Sequence, residues 1–235
     1  VKIKTALEYI GLDAGEVRAV YRDSYYMAMW CKKEGLCKRR FSVKDALVLA
    51  AFGYAFRDPS LYEKTPQFLL NQSLYFRTAE DMEDIKDFLF LVLRSLRHLE
   101  PVTKTQLYFA SDECVKVDSE HYVVGEMIVW PIYTSTTTDM TSLLPGLTSA
   151  DGTTRGTLFI IDNAVGYDIQ PYVIPHPGAG ADAGANDKAP KIILDPDTTF
   201  VVRRAIPGNL TIIALEAVKP KALFLAKAFS RYNSQ

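Results

Sequence analysis

The spacing of apolar residues changes near residue 100, and this change limits the folds that are open to the chain. Before it, apolar residues recur at helical spacings of three and four. After it, short runs of β-branched and aromatic residues alternate with turn residues, as in strands. We therefore predict an α+β fold in one domain (1–235). Its helical part (1–100) is expected to pack on a split, mostly antiparallel β-sheet formed by the rest (101–235).

The helical part is predicted from caps as well as from periodicity. Ser42 and Thr78 are the expected N-caps of two helices, because a hydroxyl before an apolar stripe accepts from free backbone N–H groups. The helix after Thr78 has an acidic first turn and a basic last turn, which suits the helix dipole, and Pro101 follows its end. The helices are predicted within 12–30, over 43–56 and 60–75, and between Thr78 and Pro101. The strands are predicted over 106–110, 122–133, 156–162, 191–194, 199–205, 210–218 and 222–229, the last of which also fits a short helix.

Charge excludes one broad class of function. With 27 Lys and Arg against 28 Asp and Glu, the chain has a formal net charge of -1 and lacks the basic surplus of a general nucleic-acid binder. One local cluster of basic residues stands out. It is typical of a solvated loop, and its functional alternative is contact with an acidic protein partner or with nucleic acid. The basic cluster comprises Lys32, Lys33, Lys38, Arg39 and Arg40.

No metal-binding pattern is present in the sequence. Cys31, Cys37 and Cys114 match no zinc spacing and are expected to be reduced thiols, with a Cys31–Cys37 disulfide as the alternative. The three histidines are isolated in sequence, so no metal and no metal cofactor is expected. They are His98, His121 and His176.

Neither a membrane span nor a secretory signal is recognisable. No apolar run reaches the ~18 residues that a spanning helix needs, and the N-terminal residues lack an apolar signal region. We therefore expect an intracellular, cytoplasmic protein that does not bind membranes.

Four fragments follow one another in the second part of the chain. Their sequences are Thr-Gln-Leu-Tyr-Phe (105–109), Trp-Pro-Ile-Tyr-Thr-Ser-Thr-Thr (130–137), a Gly-Thr-Leu-Phe strand with a Gly-Tyr-Asp-Ile segment (156–172), and Lys-Ile-Ile-Leu-Asp-Pro-Asp-Thr-Thr-Phe (191–200). Their order resembles the mono-ADP-ribosyltransferases of the Arg-Ser-Glu class, over about residues 79–218. In that family the corresponding motifs are Leu-Tyr-Arg, aromatic-x-Ser-Thr-Ser, and Glu-x-Glu before a Val-Leu-Leu-Pro-Pro-Gly-Thr-x-Phe run.

The catalytic positions of the family are altered here. The resemblance places Phe109 where the family has an arginine that holds the NAD phosphates, and an aromatic ring offers neither charge nor a bidentate donor. It places Lys191 where the catalytic glutamate stabilises an oxocarbenium-like transition state, so a cation replaces an anion. The companion acidic position reads Ala189. Ser135, Thr136 and Thr137 retain the hydroxyl motif and are the candidate NAD contacts if a cleft persists.

A loop rich in Gly, Ala and Asp precedes Lys191. Its composition predicts mobility. In the resembling family the loop before the glutamate contacts the target protein, which implies the same role for this one. Its candidate partner residues are Gly178, Asp182 and Asn186.

These observations predict a catalytically inactive ADP-ribosyltransferase-like domain that serves as a protein-interaction or scaffold module without a cofactor. Two alternatives stay open. One is a divergent active transferase that uses NAD and a substitute acid such as Asp195 or Glu113. The other is a module that binds a nucleotide or nucleic acid without catalysis.

Overall fold

A computed structural model describes residues 2–56, 65–103, 106–118, 121–149, 152–173 and 189–218. The chain divides into two compact units: Val1–Val102 with Tyr167–Ile193, and Thr103–Gly166 with Leu194–Gln235. The prediction of a single domain stays a prediction. In chain order the elements are α1 (Ile3–Tyr9), α2 (Ala14–Lys33), α3 (Val43–Phe52), a 3-10 turn (Gly53–Phe56), α4 (Pro66–Phe76), α5 (Ala79–Arg97), β1 (Pro101–Val102), β2 (Leu107–Ser111), β3 (Met127–Trp130), β4 (Thr134–Thr136), a 3-10 turn (Met140–Leu143), α6 (Leu144–Leu147), β5 (Gly156–Asp162), β6 (Gly166–Asp168), α7 (Gln170–Val173), β7 (Ile192–Leu194), β8 (Thr198–Ile206) and β9 (Leu210–Val218).

The first unit contains helices α1 to α5 and α7, and the expected caps form. The Ser42 hydroxyl accepts from the N–H of Asp45, whose carboxylate accepts from the Ser42 N–H in return. Thr78 likewise accepts from the Asp81 N–H at the start of α5. Helix α3 packs against α2 and α5, and most of its side chains are buried. The apolar residues that α5 buries recur at helical spacing: Ile85, Phe88, Leu89, Val92, Leu93 and Leu96.

The second unit is built on a five-stranded sheet with the order β2-β5-β9-β8-β3. Strands β2 and β5, β8 and β9, and β3 and β8 pair antiparallel, whereas β5 and β9 pair in parallel. A bulge between Val202 and Arg204 interrupts the β8–β9 ladder. A second, smaller sheet has β6 between β1 and β7. The predicted α+β class with mostly antiparallel sheets is thus confirmed.

Element boundaries agree best where the sequence pattern is most regular. The predicted strands 156–162 and 210–218 are observed at those bounds as β5 and β9. The predicted strand over 122–133 is too long, because Tyr122 (φ 53°) and Gly125 (φ 93°) are left-handed and cannot continue a strand. The helix predicted over 60–75 is observed as α4 (Pro66–Phe76), which begins after the N-cap Thr65. Among the described residues, seven short elements were not predicted, namely α1, α6, α7, β1, β4, β6 and the 3-10 turn Met140–Leu143. The segment 222–229 lies outside the described residues.

Within the described part of the chain, no helix combines the length and the apolar character that crossing a membrane requires. The expectation of an intracellular protein stays a prediction.

Candidate functional site

Phe109 lies in β2 directly opposite Phe159 of β5. Side chains alternate between the faces of a strand, so the ladder places both rings on one face of the sheet, together with Trp130 and Phe200. The Phe109 ring stacks on Phe159 at 5.6 Å between centroids and meets Trp130 edge to face at 5.6 Å. Trp130 also packs on Phe159 at 5.3 Å and on Phe200 at 4.8 Å.

This aromatic cluster gives Phe109 a structural role. Phe159 and Phe200 are buried, at 2% and 0% exposure, and Phe109 itself is half-buried. Aromatic pairs at these distances stabilise a fold by about 0.5–1.5 kcal/mol each beyond the burial of their area. At the position where the resemblance expects a phosphate-binding arginine, this chain therefore contributes to packing within the sheet.

The hydroxyl motif lies beside the same strand. Tyr108 of β2 and Thr137, just after β4, exchange backbone hydrogen bonds of 2.8 and 2.9 Å. Thr136 and Thr137 are buried, at 3% and 4% exposure, and the Thr137 hydroxyl accepts from the Asp139 N–H at 3.1 Å. Ser135 is half-exposed. Of the three predicted contact residues, Ser135 is thus the one whose hydroxyl a ligand could reach without disturbing the core.

Lys191 belongs to the first unit and directly precedes β7. Its carbonyl accepts from the Ile169 N–H at 2.9 Å, which ties it to the segment after β6. Lys191 is half-exposed, while Ala189 is buried at 7% exposure. The two positions that the resemblance aligns with the Glu-x-Glu motif are thus a half-exposed ammonium group and a buried methyl group.

Asp168 is a candidate acid that the sequence analysis did not single out. Its carboxylate is half-buried at the end of β6 and accepts from the Gln170 N–H at 3.0 Å and from the Lys191 backbone. Burial raises the pKa of Asp168 above its ordinary value, although both hydrogen bonds lower it. The structure thus places a carboxylate in contact with the backbone of Lys191. In the sequence, Asp168 could have been found only through its place in the Gly-Tyr-Asp-Ile segment of the third fragment.

The acids proposed as substitutes from sequence lie in other settings. Asp195 is half-buried before β8, and its carbonyl accepts from the Thr198 hydroxyl at 2.6 Å. Asp197 is left-handed (φ 61°) and occupies the position where the resembling family has glycine. Glu113 is exposed.

The basic cluster lies on the end of α2 and the connection to α3. All five side chains are exposed, and the backbones of Lys38 and Phe41 bond to each other across the turn. None of the five forms an ion pair with another residue in the described ranges. A concentrated positive charge of this kind attracts anionic partners.

The three cysteines are free thiols, so the structure contains no Cys31–Cys37 disulfide. Burial raises the pKa of the Cys37 thiol. His98 Nδ1 lies 3.2 Å from Asp45, and His121 Nδ1 lies 3.0 Å from Asp118.

Among the residues that the structure describes, no group of three His, Cys, Asp or Glu side chains is arranged to hold a metal ion. The loop residues Gly178, Asp182 and Asn186 and the side chain of His176 lie outside the described residues.

No protein-family model matches the sequence, and no curated protein matches it either. Solved structures do match the fold. The chain is similar to the Vis toxin, an ADP-ribosyltransferase from Vibrio splendidus, at a TM-score of 0.53 and 16% identity over 93% of each chain. It is similar to the type III effector XopAI from Xanthomonas axonopodis pv. citri, at a TM-score of 0.60 and 13% identity over 92% of this chain and 81% of that one.

A third similar structure is the eukaryotic mono-ADP-ribosyltransferase ART2.2, at a TM-score of 0.57 and 12% identity over 94% of this chain and 86% of that one. At these identities the likeness concerns the fold. The chain therefore has the mono-ADP-ribosyltransferase fold, as its four sequence fragments predicted.

Proposed function

We propose that this chain is an ADP-ribosyltransferase-fold domain that does not cleave NAD and that acts as a protein-interaction module. The observation that carries the proposal is the packing of Phe109. An arginine at this position would hold phosphates through charge and a bidentate fork. Phe109 instead packs against Phe159 and Trp130. A phenylalanine in place of the arginine therefore stabilises the sheet and cannot hold phosphates.

The charge at Lys191 supports the same conclusion. Cleavage of the bond between nicotinamide and ribose develops positive charge on the sugar, and a carboxylate stabilises that charge. An ammonium group at the same motif position repels it, and electrostatic stabilisation is usually the largest single contribution to catalysis. Two independent changes, one for binding and one for chemistry, therefore act against transfer.

The basic cluster is the surface that we assign to a protein partner. Its five cations are exposed and have no ion-pair partner among the described residues, so an acidic segment could neutralise them at little desolvation cost. The net charge of -1 means that this attraction is local.

A titration of the purified chain with NAD, followed calorimetrically and with mass spectrometry for nicotinamide, tests the proposal. We expect no binding heat and no nicotinamide, with the Vis toxin as a positive control for release. Saturable binding without release would favour the alternative of a nucleotide-binding module. Release of nicotinamide above the uncatalysed rate would overturn the proposal.

A divergent active transferase is the second candidate, and Asp168 is the observation that favours it. This carboxylate contacts the Lys191 backbone, and it could stabilise a developing cation when ionised. If the titration showed release, Asp168→Asn should abolish it while Asp195→Asn should not. Equal loss in both variants would exclude Asp168 as the specific substitute acid.

A further inference from the structure

A cavity of about 450 Å³ lies in the first unit, between the N-terminal end of α1 and the helices α2, α3 and α5. Its walls are mostly apolar. They include Tyr21 from α2, Leu47 from α3 and Leu91 from α5, all of which are half-exposed. These side chains leave apolar surface open to water, which favours an apolar occupant.

Three lysines surround these walls, namely Lys2, Lys4 and Lys44. All three are exposed, and no lining residue is acidic. Lys4 Nζ lies 4.4 Å from the centroid of the Tyr21 ring, a cation–π contact that leaves its charge without a counterion. In the described part of the chain, none of the three ammonium groups pairs with a carboxylate. The cavity therefore combines an apolar interior with a positive rim.

The size of the cavity restricts the class of occupant. A volume of about 450 Å³ lies within the range of about 300–1,000 Å³ that is common for small-molecule sites. An apolar chain or ring would fill the walls, and an anionic head group would meet the lysines.

The geometry points to a binding site for a small amphiphile, with an apolar body against Tyr21, Leu47 and Leu91 and an anionic head group at Lys2, Lys4 and Lys44. A carboxylate and a phosphate monoester share this head-group chemistry. The site uses neither Phe109 nor Lys191, so it holds or fails independently of the function proposed above.

Calorimetric titration of the full chain with decanoate, decyl phosphate and decanol tests the inference. The three probes share one apolar chain and differ in the head group. We expect saturable binding of at least one anionic probe, with an affinity at least tenfold above that of decanol. The stronger of decanoate and decyl phosphate identifies the head group that the rim prefers.

Two variants locate the binding. Lys44→Glu should weaken binding of the anionic probe about tenfold, since it replaces one attraction by one repulsion of the size of an exposed ion pair. Arg97→Glu is the matched control, because Arg97 is also exposed, lies outside the basic cluster and does not line the cavity. Leu47→Trp should reduce binding by filling the cavity, and its thermal unfolding midpoint checks that it remains folded.

Several results would overturn the inference. The inference fails if neither anionic probe binds saturably or if decanol binds equally well. It also fails if Lys44→Glu and Arg97→Glu weaken binding equally. Wild-type affinity in a folded Leu47→Trp chain would also overturn it. Binding of an acidic peptide to the cavity without binding of either amphiphile would assign it to a protein partner instead.

Discussion

The ring of Phe109 stacks on the ring of Phe159, with centroids 5.6 Å apart and planes inclined by 27°. The two residues face each other across the β2–β5 ladder, and Trp130 contacts both. An arginine in this place would lose the aromatic contacts and bring a charge next to the buried Phe159. At the position that the resemblance assigns to a phosphate-binding arginine, the side chain of this chain therefore stabilises the packing of the sheet.

Truncation of the Phe109 side chain should destabilise the protein. We expect Phe109→Ala to lower the free energy of unfolding by about 2–3 kcal/mol, somewhat less than for a fully buried phenylalanine. Phe109→Leu, which keeps most of the apolar volume, should lose less than about 1.5 kcal/mol. Urea denaturation of the three proteins measures both differences. A loss below about 0.5 kcal/mol in the alanine variant would show that the cluster does not stabilise the sheet.

A buried carboxylate should couple stability to acid. Asp45 accepts from the Ser42 N–H at 2.8 Å, from the Ser42 hydroxyl at 2.6 Å and from Ser95 at 3.2 Å, and it lies 3.2 Å from His98. Burial raises the pKa of Asp45, whereas the Ser42 hydrogen bonds and His98 lower it. The lowering effects together are larger, so the pKa of Asp45 is below the ordinary 3.8. We expect Asp45→Asn to lower the free energy of unfolding by about 1–3 kcal/mol at neutral pH.

This cost should depend on pH with a definite sign. A carboxyl whose folded pKa is lowered contributes stability above its unfolded pKa and loses it as the pH falls through the folded value. The difference between wild type and Asp45→Asn should therefore shrink below about pH 3.8. Urea midpoints from pH 7 to pH 3 measure it. A difference that stays constant over this range would show that ionisation of Asp45 contributes nothing.

Tyr172 should limit stability at alkaline pH. Burial first, and then the nearby Cys31, Cys37 and Asp168, raise the pKa of Tyr172 to about 12. The unfolded chain releases this proton near pH 10, so the folded state loses stability as the pH rises from about 10 to about 12. Over this range we expect the wild type to lose up to about 2 kcal/mol of its free energy of unfolding through Tyr172. Tyr172→Phe should not show this loss.

Denaturation of both proteins between pH 9 and pH 11.5 checks this expectation. Tyr75→Phe is a suitable control, since Tyr75 is 66% exposed. Parallel curves for wild type and Tyr172→Phe would contradict the expected ionisation. A similar gain in Tyr75→Phe would assign the effect to tyrosines in general.

The basic cluster should dominate binding to polyanions. We expect Lys38→Glu, Arg39→Glu and Arg40→Glu together to lower the salt concentration at which the chain elutes from immobilised heparin. Reversal of three exposed arginines elsewhere, Arg18, Arg155 and Arg204, gives the same change in net charge as a control. Equal shifts in both triple variants would show that net charge alone matters. Wild-type elution in the first variant would exclude the cluster as an anion-binding surface.

Local sequence determined the four long helices α2 to α5, two of their N-caps and the main strands. The stripe of α5 and the caps Ser42 and Thr78 depend on residues three or four positions apart, which a sequence displays directly. Strands β5 and β9 were predicted at their observed bounds because dense β-branched runs end at turn residues. The four ordered fragments were also sufficient to predict the fold family.

Tertiary structure decided what surrounds each side chain. That Phe109 meets Trp130 and Phe159 depends on strand register between distant segments, and that Asp168 contacts the Lys191 backbone depends on pairs far apart in the chain. The left-handed Tyr122, which the predicted strand 122–133 wrongly included, contacts Phe159 of the distant strand β5. Periodicity and capping act within one turn or one strand, whereas contacts across segments depend on packing that only the folded chain defines.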